Sequence, residues 1–435
     1  MERRLRKYLA SRAVLTPWQL EGNSASVVDA AIVIPALAEA ETLPATLQSL
    51  AANDSELLQR ALVIVVVNQR ADASATQRCT NEATLAWLNS QCSRPLQLAW
   101  IDAVSPGLEL PPGQGVGLAR KIGFDAALLR LNWNNDPFLI SLDADTLVDS
   151  DYLTALFHHF ATAQQSAAVL PFRHQPGADS GEEKAIRAYE LYLRSYLFGL
   201  QQAESPYAYH SIGSAFACRA QGYIAAGGMN RRLAGEDFYF LQQLHKVSGV
   251  VALQGTVVHP APRCSDRVPF GTGRIVAQHQ QGDIPAYRFV DVHAFGLLQK
   301  WLRVVTALSD GTADELLRRA RHLSTDLEKF LEERNFAVVW QRLQHNHAGH
   351  RQRLRAFHHW FDALRTRQLL TRLSQTSGDP TPLVSELLRW GGHAGYHDAM
   401  SQLTLLEGLQ GVVGPEYLAV AQAGITRFCL AIPAQ

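Results

Sequence analysis

The chain has 435 residues, of which 47% are hydrophobic, and its 40 basic residues are matched by 40 acidic residues. This length and apolar content suffice for one large domain or two ordinary ones with a buried core. The balanced charge argues against a protein whose whole surface binds nucleic acid or anionic lipid, and the 18% charged content argues against disorder. The five cysteines form no C-x-x-C pair, which argues against a disulfide framework or a zinc site and favours a reducing compartment.

The first 28 residues are predicted to form a basic N-terminal extension. Five basic residues lie within the first 20 positions: Arg3, Arg4, Arg6, Lys7 and Arg12. Because no continuous apolar run accompanies them, the segment does not resemble a secretory signal. The longest apolar runs elsewhere are strand-sized and too short to span a membrane. We therefore expect a cytoplasmic protein, and peripheral contact with the inner face of a membrane stays open.

The first half of the chain alternates strand-like and helix-like segments. Predominantly apolar runs predict strands at Ala30–Pro35, Ala61–Val67, Leu96–Ile101 and Phe138–Leu142. Apolar residues at helical spacing predict helices at Thr42–Leu58, Gly115–Leu129 and Glu182–Gln202, and Val250–Val258 is predicted as a further strand of the same sheet. Strands that are apolar on both faces and alternate with helices predict an α/β fold, with a mostly parallel sheet flanked by helices.

The pattern changes to helical periods beyond about residue 290. Predicted helices cover Leu297–Leu308, Ala313–Leu331, Phe336–Leu343, Arg353–Leu373 and Pro382–Trp390. Few β-branched runs occur among them. We therefore predict an α-helical C-terminal domain over residues 291–435.

Two carboxylates follow the fourth predicted strand directly. Asp143 and Asp145 are separated by one residue and form a D-x-D motif, and open α/β sheets bind their ligands beyond the carboxyl ends of the strands. Two hard oxygen ligands at this position suit a divalent cation, Mn²⁺ or Mg²⁺, that itself holds phosphates. A solvated acidic turn is the alternative interpretation of this motif taken alone.

A second acidic pair, Glu236 and Asp237, opens a predicted helix. The helix dipole favours carboxylates in a first turn and is expected to keep them ionised. An ionised carboxylate in a fixed position suits a general base that takes a proton from an attacking hydroxyl. A plain helix N-cap is the alternative.

His259 ends the predicted strand that follows this helix. If that strand neighbours Asp143 and Asp145, the imidazole joins two carboxylates in a donor set that suits Mn²⁺. The next loop carries three arginines whose guanidinium groups match phosphate oxygens: Arg263, Arg267 and Arg274. An ordinary strand-end histidine and a solvated basic loop are the competing interpretations.

The order of these motifs resembles the family 2 glycosyltransferases, which have the GT-A (Rossmann-like) fold. The resemblance rests on Ile34–Leu43, Gly115–Arg120, the D-x-D, Gly213–Arg219 and the Glu236–Asp237 pair after Gly227 and Gly228. It covers roughly residues 29–290, which predicts a GT-A domain there. It implies a hexosyltransferase-type enzyme with a nucleotide-diphosphate sugar as donor, a divalent metal and a hydroxyl acceptor, and no nucleic-acid partner.

The resemblance also implies roles for single residues. Pro35 and Glu39 would lie beside the nucleoside, Arg120 near the base or the diphosphate, and Gly213 and Ser214 at the border of sugar and acceptor. Asp145 would bind the metal directly, with His259 completing the metal site, and Asp143 would contact both ribose and metal. Asp237, beside Glu236, would activate the acceptor hydroxyl.

Two departures from the family pattern concern the nucleoside. Ala38 stands where the family usually has Asn, and Asn68–Asp72 replaces the usual D-D-G-S. Asp72 could therefore take the place of the base-reading carboxylate.

The mechanism implied is an in-line displacement that inverts the anomeric configuration. A retaining glycosyltransferase is one alternative. A nucleotidyltransferase is another, although the glycine-rich basic loop expected after its first strand is missing from residues 34–39. An inactive scaffold protein is the third, and the presence of Asp143, Asp145, Asp237 and His259 argues against it.

Residues 341–372 are strongly basic, with seven arginines and five histidines against a single acid, Asp362. A cationic helical face could meet anionic lipid, a polyanionic acceptor or a partner protein. An arginine-rich solvated surface is the interpretation we favour. Metal binding by the histidines at 345, 347 and 350 is regarded as incidental.

Overall fold

A computed structural model describes residues 2–23, 27–90, 95–262, 287–374 and 379–412. The chain divides into two compact units. The first comprises residues 1–186, 211–281 and 410–435, and the second comprises 187–210 and 282–409. The domain boundaries drawn from the sequence stay a prediction.

The described part of the first unit holds ten short strands. They are β1 (Leu20–Gly22), β2 (Ala30–Ala36), β3 (Ala61–Asn68), β4 (Gln97–Ala103), β5 (Phe138–Ser141), β6 (Leu147–Val148), β7 (Ala167–Val169), β8 (Phe216–Arg219), β9 (Val250–Ala252) and β10 (Val258–His259). All residues of β2, β3 and β5 are buried, as expected for strands covered on both faces.

Eight of these strands form one sheet in the order β1-β4-β3-β2-β5-β8-β7-β9. The central strands β4, β3, β2 and β5 run parallel, and β9 is parallel to β7. Antiparallel pairing joins β1 to β4 and β8 to both β5 and β7. The predicted α/β class with a mostly parallel sheet is therefore confirmed.

The described part of the first unit also contains the starts of nine α-helices, most of which flank the sheet. They are α1 (Glu2–Ser11), α2 (Leu43–Ala51), α3 (Ser55–Leu58), α4 (Ala75–Ser90), α5 (Val116–Ala127), α6 (Tyr152–Thr162), α7 (Ser180–Gln202), α8 (Ala220–Ala225) and α9 (Glu236–Ser248). The sequence predicted a single helix where α2 and α3 lie. The Asp54 side chain accepts hydrogen bonds from the backbone N–H groups of Glu56 and Leu57, and this cap starts a new helix.

Helix α5 lies unusually close to the sheet. A Cβ atom placed on Gly123 would stand 2.4 Å from a Val33 methyl and 3.0 Å from a Val66 methyl. Only glycine permits this approach to β2 and β3. Arg120, one turn before Gly123 on this helix, reaches Asp143 beyond the end of β5.

The prediction of one strand over Val250–Val258 is wrong. The segment forms two strands, and Gly255 between them has a φ of 92°, a left-handed conformation that interrupts an extended chain. Strand β9 belongs to the large sheet. Strand β10 instead pairs antiparallel with β6 in a separate two-stranded sheet, with His259 opposite Leu147.

The predicted N-terminal extension packs against α5 through a buried polar network. Tyr8 is the buried residue of α1, and its hydroxyl donates to Asp125 Oδ1 (2.7 Å) and accepts from Lys121 Nζ (2.9 Å). The hydroxyl of Tyr223 also donates to Asp125 Oδ1 (2.8 Å), and the N–H of Val14 donates to Asp125 Oδ2 (2.8 Å). Residues 2–14 are thus an integral part of the first unit.

The second unit is helical, as predicted for the C-terminal region. Besides most of α7 it contains α10 (Val292–Ala307), α11 (Ala313–Leu323), α12 (Thr325–Glu332), α13 (Phe336–Asn346), α14 (His350–Trp360), α15 (Ala363–Leu373), α16 (Pro380–Trp390) and α17 (Ala399–Leu409). Aromatic side chains fill its core, and Trp301, Phe336 and Trp340 are fully buried. Nowhere in the described ranges is a helix long and apolar enough to cross a membrane.

Two helices predicted in this region are each divided by a side-chain cap. Ser324 Oγ accepts from the N–H groups of Asp326 and Leu327, which separates α11 from α12. The Asp362 side chain accepts from the N–H of Arg365, which separates α14 from α15. In both places the apolar spacing continues across a break that the capping residue creates.

Candidate functional site

The centre of the site is Arg120, a buried cation on α5. Its side chain is 3% exposed. The guanidinium donates from Nη1 (2.9 Å) and Nη2 (2.7 Å) to Asp143 Oδ1, and from Nε (3.2 Å) to Glu236 Oε1. Nη1 also donates to Ser141 Oγ at 3.2 Å. One arginine therefore joins the D-x-D segment after β5 to the start of α9.

The backbone of Gly213 packs against Ser141 and Arg120 of this cluster. Its carbonyl accepts a hydrogen bond from Ser141 Oγ at 2.7 Å. A Cβ atom on Gly213 would lie 2.4 Å from Arg120 Nη2 and 3.6 Å from Asp237 Oδ2. Glycine is thus required by the close approach of this backbone to Arg120, and Asp237 lies beside the same guanidinium. Ser214 is buried, and its Oγ makes no hydrogen bond within the described residues.

The two acidic residues at the start of α9 have raised pKa values, contrary to the expectation that both are ionised. Burial raises the pKa of Glu236 to about 8, and the neighbouring Asp237 charge adds to the rise, although Arg120 opposes it. Burial also raises the pKa of Asp237, again against the opposing effect of Arg120. The helix N-terminus was expected to keep both ionised, but the loss of solvation outweighs it. The pair therefore retains protons to a higher pH than exposed carboxylates do.

The loop before α9 fixes this acidic pair against α5. The side-chain amide of Asn230 donates to the Glu236 carbonyl at 2.7 Å, and Gly235 adopts a left-handed φ of 67°. A Cβ atom on Gly117 would lie 2.5 Å from the Arg232 carbonyl oxygen. Gly117, the second glycine of the Gly115–Arg120 motif, is thus explained by helix–loop packing.

His259 lies beside the segment that follows the D-x-D, because β10 pairs with β6. The side-chain amide of Gln175 donates to the carbonyls of Asp145 (2.9 Å) and His259 (2.7 Å), which joins the two segments. The imidazole contacts the Arg173 carbonyl through Nδ1 (3.1 Å) and Asp149 Oδ1 through Nε2 (3.0 Å). Gln175 and Asp149 were not predicted as site residues, because both contacts depend on the pairing of distant segments.

The metal site predicted for Asp143, Asp145 and His259 stays a prediction. Within the described ranges, no group of three or more His, Cys, Asp or Glu side chains is arranged to hold a metal ion. Asp143 is instead ion-paired with Arg120. Asp145 is linked to His259 because the side-chain amide of Gln175 donates to the backbone carbonyls of both residues.

The residues predicted beside the nucleoside lie at the ends of β2 and β3. Pro35 is in β2, and the buried carboxylate of Glu39 accepts a hydrogen bond from Thr42 Oγ1 at 2.6 Å. Asp72 is exposed and forms an ion pair with Arg70 at 2.8 Å. Its assigned role as base-reading residue stays a prediction.

A buried network of side-chain amides lies where the sequence departs from the family pattern, at Ala38 and at the start of Asn68–Asp72. Ala38 has a φ of 55°, and its N–H donates to Asn81 Oδ1 at 2.7 Å. Asn81 is fully buried, and its Nδ2 donates to Gln69 Oε1 at 3.0 Å. Asn68 Nδ2 donates to the Ala36 carbonyl at 3.1 Å, which ties β3 to β2. This network fixes the loops that follow both strands.

Three arginines of the predicted diphosphate loop, Arg263, Arg267 and Arg274, lie outside the described residues. Of the basic residues in 341–372, Arg353 is buried and donates to the carbonyls of Ser309 (2.6 Å) and His347 (3.2 Å). Arg365 donates to the Trp360 carbonyl at 2.6 Å, and Arg372 pairs with Glu333 at 2.7 Å. These three arginines serve the packing of the second unit.

Comparisons with known proteins place the chain near several solved structures. Neither a protein-family model nor a curated protein sequence matches it. It is similar to S. aureus TarS 1-349 in complex with UDP-GlcNAc, with 10% identity, 92% of each chain covered and a TM-score of 0.36. It is also similar to the mannosyltransferase PcManGT from Pyrobaculum calidifontis in complex with GDP-Man and Mn²⁺, with 14% identity, 94% of this chain and 92% of that chain covered, and a TM-score of 0.36.

A third similar structure is glucosyl-3-phosphoglycerate synthase of M. tuberculosis. The identity is 14%, with 69% of this chain and 84% of that chain covered and a TM-score of 0.31. At these identities and TM-scores the likeness supports no conclusion about activity, substrate or metal.

Proposed function

We propose that the chain is a metal-dependent glycosyltransferase that moves a sugar from a nucleotide-diphosphate donor to an acceptor hydroxyl. The observation that carries this proposal is the cluster around Arg120, in which Asp143 and Glu236 share one buried guanidinium and Asp237 lies beside it. The cluster sits where a mostly parallel sheet binds its ligands, beyond the carboxyl end of β5. The order of motifs along the sequence supports the same activity.

Asp237 is proposed as the general base. Its raised pKa makes it a stronger base than an exposed aspartate, provided that it has lost its proton. Its half-buried side chain keeps access to an acceptor, whereas Glu236 is buried and bonded to Arg120. We therefore assign proton abstraction to Asp237. Glu236 is a positioning residue that holds Arg120.

Arg120 has a different role from the one implied by the resemblance. Its guanidinium is occupied by Asp143, Glu236 and Ser141, so its donors are directed at protein groups. It balances the charge of the carboxylates and fixes their positions. The positive charge that meets the donor diphosphate must then come from elsewhere in the cleft, and the arginines at 263, 267 and 274 are the proposed source.

A divalent cation bound beside the D-x-D would neutralise charge that develops on the departing diphosphate. The donor atoms available there fit such a cation, since carboxylate oxygens and an imidazole nitrogen are ligands of Mn²⁺ and related ions. Asp145 and His259 are the proposed ligands. Displacement of the diphosphate by the acceptor oxygen, on the face opposite the leaving group, would invert the anomeric centre.

A thermal-shift panel tests whether the chain binds a nucleotide diphosphate together with a divalent cation. The purified chain is melted with UDP, GDP, CMP or dTDP, each with and without Mn²⁺. The proposal expects one diphosphate to raise the melting temperature in a Mn²⁺-dependent way, since a ligand that binds the folded state alone stabilises it. No response to any of the nucleotides would contradict the proposal and favour the inactive scaffold.

A further inference from the structure

The pair formed by His259 and Asp149 is not accounted for by the Arg120 cluster. Nδ1 of His259 lies 3.1 Å from the Arg173 carbonyl oxygen, which can only accept a hydrogen bond. Nδ1 must therefore carry the proton, and in the neutral ring Nε2 then bears a lone pair. This lone pair faces Asp149 Oδ1 at 3.0 Å, and an ionised carboxylate is also an acceptor. The two groups form an ion pair when the imidazole carries a second proton, and a cation can bind both atoms when it does not.

The separation suits two neighbouring ligands of one metal ion. Adjacent ligands of an octahedral cation with bonds of about 2.1 Å lie about 3.0 Å apart. An imidazole whose other nitrogen is bound to a backbone carbonyl is the usual arrangement of a metal-binding histidine. The side chains of His259 and Asp149 are 30% and 45% exposed, so the space beside them is open to solvent.

The backbone holds both residues in place. The Asp149 carbonyl accepts from Asn53 Nδ2 (3.2 Å) and from the Tyr152 N–H (3.1 Å). His259 is fixed by its pairing with Leu147 and by the Gln175 amide, which donates to the His259 carbonyl at 2.7 Å. Neither residue needs a backbone rearrangement to present its side chain.

We infer that Asp149, together with His259, is a protein ligand of the divalent cation, a role that the sequence motifs assign to Asp143 and Asp145. Binding of the cation by these two residues does not depend on the proposed function. The catalytic use of the cation does rest on it. Two protein donors are enough for a cation that takes its other ligands from water and phosphate oxygens. Asp143 is less available, since Oδ1 of its carboxylate accepts two hydrogen bonds from Arg120.

Mn²⁺ binding to the nucleotide-free protein tests the inference without any assay of activity. The free Mn²⁺ signal is titrated by electron paramagnetic resonance for the wild type and for Asp149→Asn, His259→Gln and Asp145→Asn. Asp151→Asn is the matched control, since it removes the same charge from an exposed residue two positions away. We expect Asp149→Asn and His259→Gln each to raise the Kd by about 10-fold or more, while Asp151→Asn leaves it unchanged.

A spin-echo measurement on bound Mn²⁺ adds an independent signal, since coupling to an imidazole ¹⁴N should be present in the wild type and absent in His259→Gln. Wild-type affinity in Asp149→Asn would overturn the inference, and so would a loss confined to Asp145→Asn. Mn²⁺-dependent binding of a nucleotide diphosphate by the wild type would then still uphold the proposed function. Conversely, a Kd that depends on Asp149 without any nucleotide binding would uphold the inference and contradict the proposed function.

Discussion

Replacement of Arg120 by methionine removes the buried cation on which the site is built. Asp143 and Glu236 lose their partner, and Asp237 loses the neighbouring charge that opposes the rise of its pKa. Removing one partner of a buried ion pair costs about 3–5 kcal/mol, because the remaining charge is left uncompensated. Of the two carboxyl groups left behind, Glu236 is 6% exposed and Asp143 is 34% exposed, so solvent compensates Asp143 in part and the loss should lie toward the lower end of this range. We expect Arg120→Met to lower the free energy of unfolding by about that amount.

Urea denaturation of the wild type and of Arg120→Met measures this loss. The control is Arg70→Met, which breaks an ion pair whose Arg70 and Asp72 side chains are 41% and 71% exposed. Exposed pairs contribute about 0–1 kcal/mol, so the control should differ little from the wild type. Both variants replace arginine by methionine, so the comparison isolates burial.

The pH dependence of the Arg120→Met loss provides the second test. Without Arg120 the pKa of Glu236 should rise further above its wild-type value of about 8. A carboxyl group whose pKa is raised in the folded state stabilises it most at low pH and loses that stabilisation as pH rises. The deficit of Arg120→Met should therefore grow as pH rises above about 8, where Glu236 ionises in the folded wild type but stays protonated in the folded variant. Equal losses in Arg120→Met and Arg70→Met, or a deficit independent of pH, would refute the reasoning.

Three further predictions concern stability. Glu236→Gln should gain stability relative to the wild type as pH rises from about 4.5 through about 8, because in this range Glu236 ionises in the unfolded wild type while the folded wild type keeps it protonated; thermal melts across this range measure the gain. Tyr8→Phe should lower the free energy of unfolding in urea by about 1–3 kcal/mol, since Asp125 loses a hydrogen bond inside a buried network. Gly117→Ala should destabilise by about 1–3 kcal/mol, as its Cβ would meet a carbonyl oxygen at 2.5 Å, whereas Gly296→Ala, with nothing within 4 Å, should be neutral or stabilising.

Much of the fold could be predicted because its signals are local. Strands such as β2 and β3 are apolar on both faces, and their residues alone indicate a buried parallel sheet. Helix α5 shows its period directly, and it begins one residue after the predicted start. The breaks were missed where a polar side chain interrupts a continuous apolar pattern, as Ser324 and Asp362 do. Those caps can be recognised in the sequence, since both residue types are preferred at helix starts.

The site was less predictable, since its contacts join distant segments. The sequence indicated that Asp143 and Glu236 carry chemistry, but not that one arginine would bind both. The charge state of Glu236 also does not follow from the sequence, because burial is not visible in a motif. Asp149 became a candidate only through the pairing of β6 with β10, and that pairing depends on the turn at Gly255.

Donor turnover by Asp237→Asn tests the central claim most directly. Release of nucleotide diphosphate from a panel of UDP- and GDP-sugars, with water as the sugar acceptor, is measured with Mn²⁺ for the wild type, Asp237→Asn and the control Asp151→Asn, and donor binding is measured alongside. The account predicts that Asp237→Asn binds the donor as the wild type does but loses turnover by at least about 100-fold, as expected when a general base is removed. Asp151→Asn should keep wild-type turnover. Wild-type turnover in Asp237→Asn, or no turnover of any nucleotide sugar by the wild type, would contradict the account.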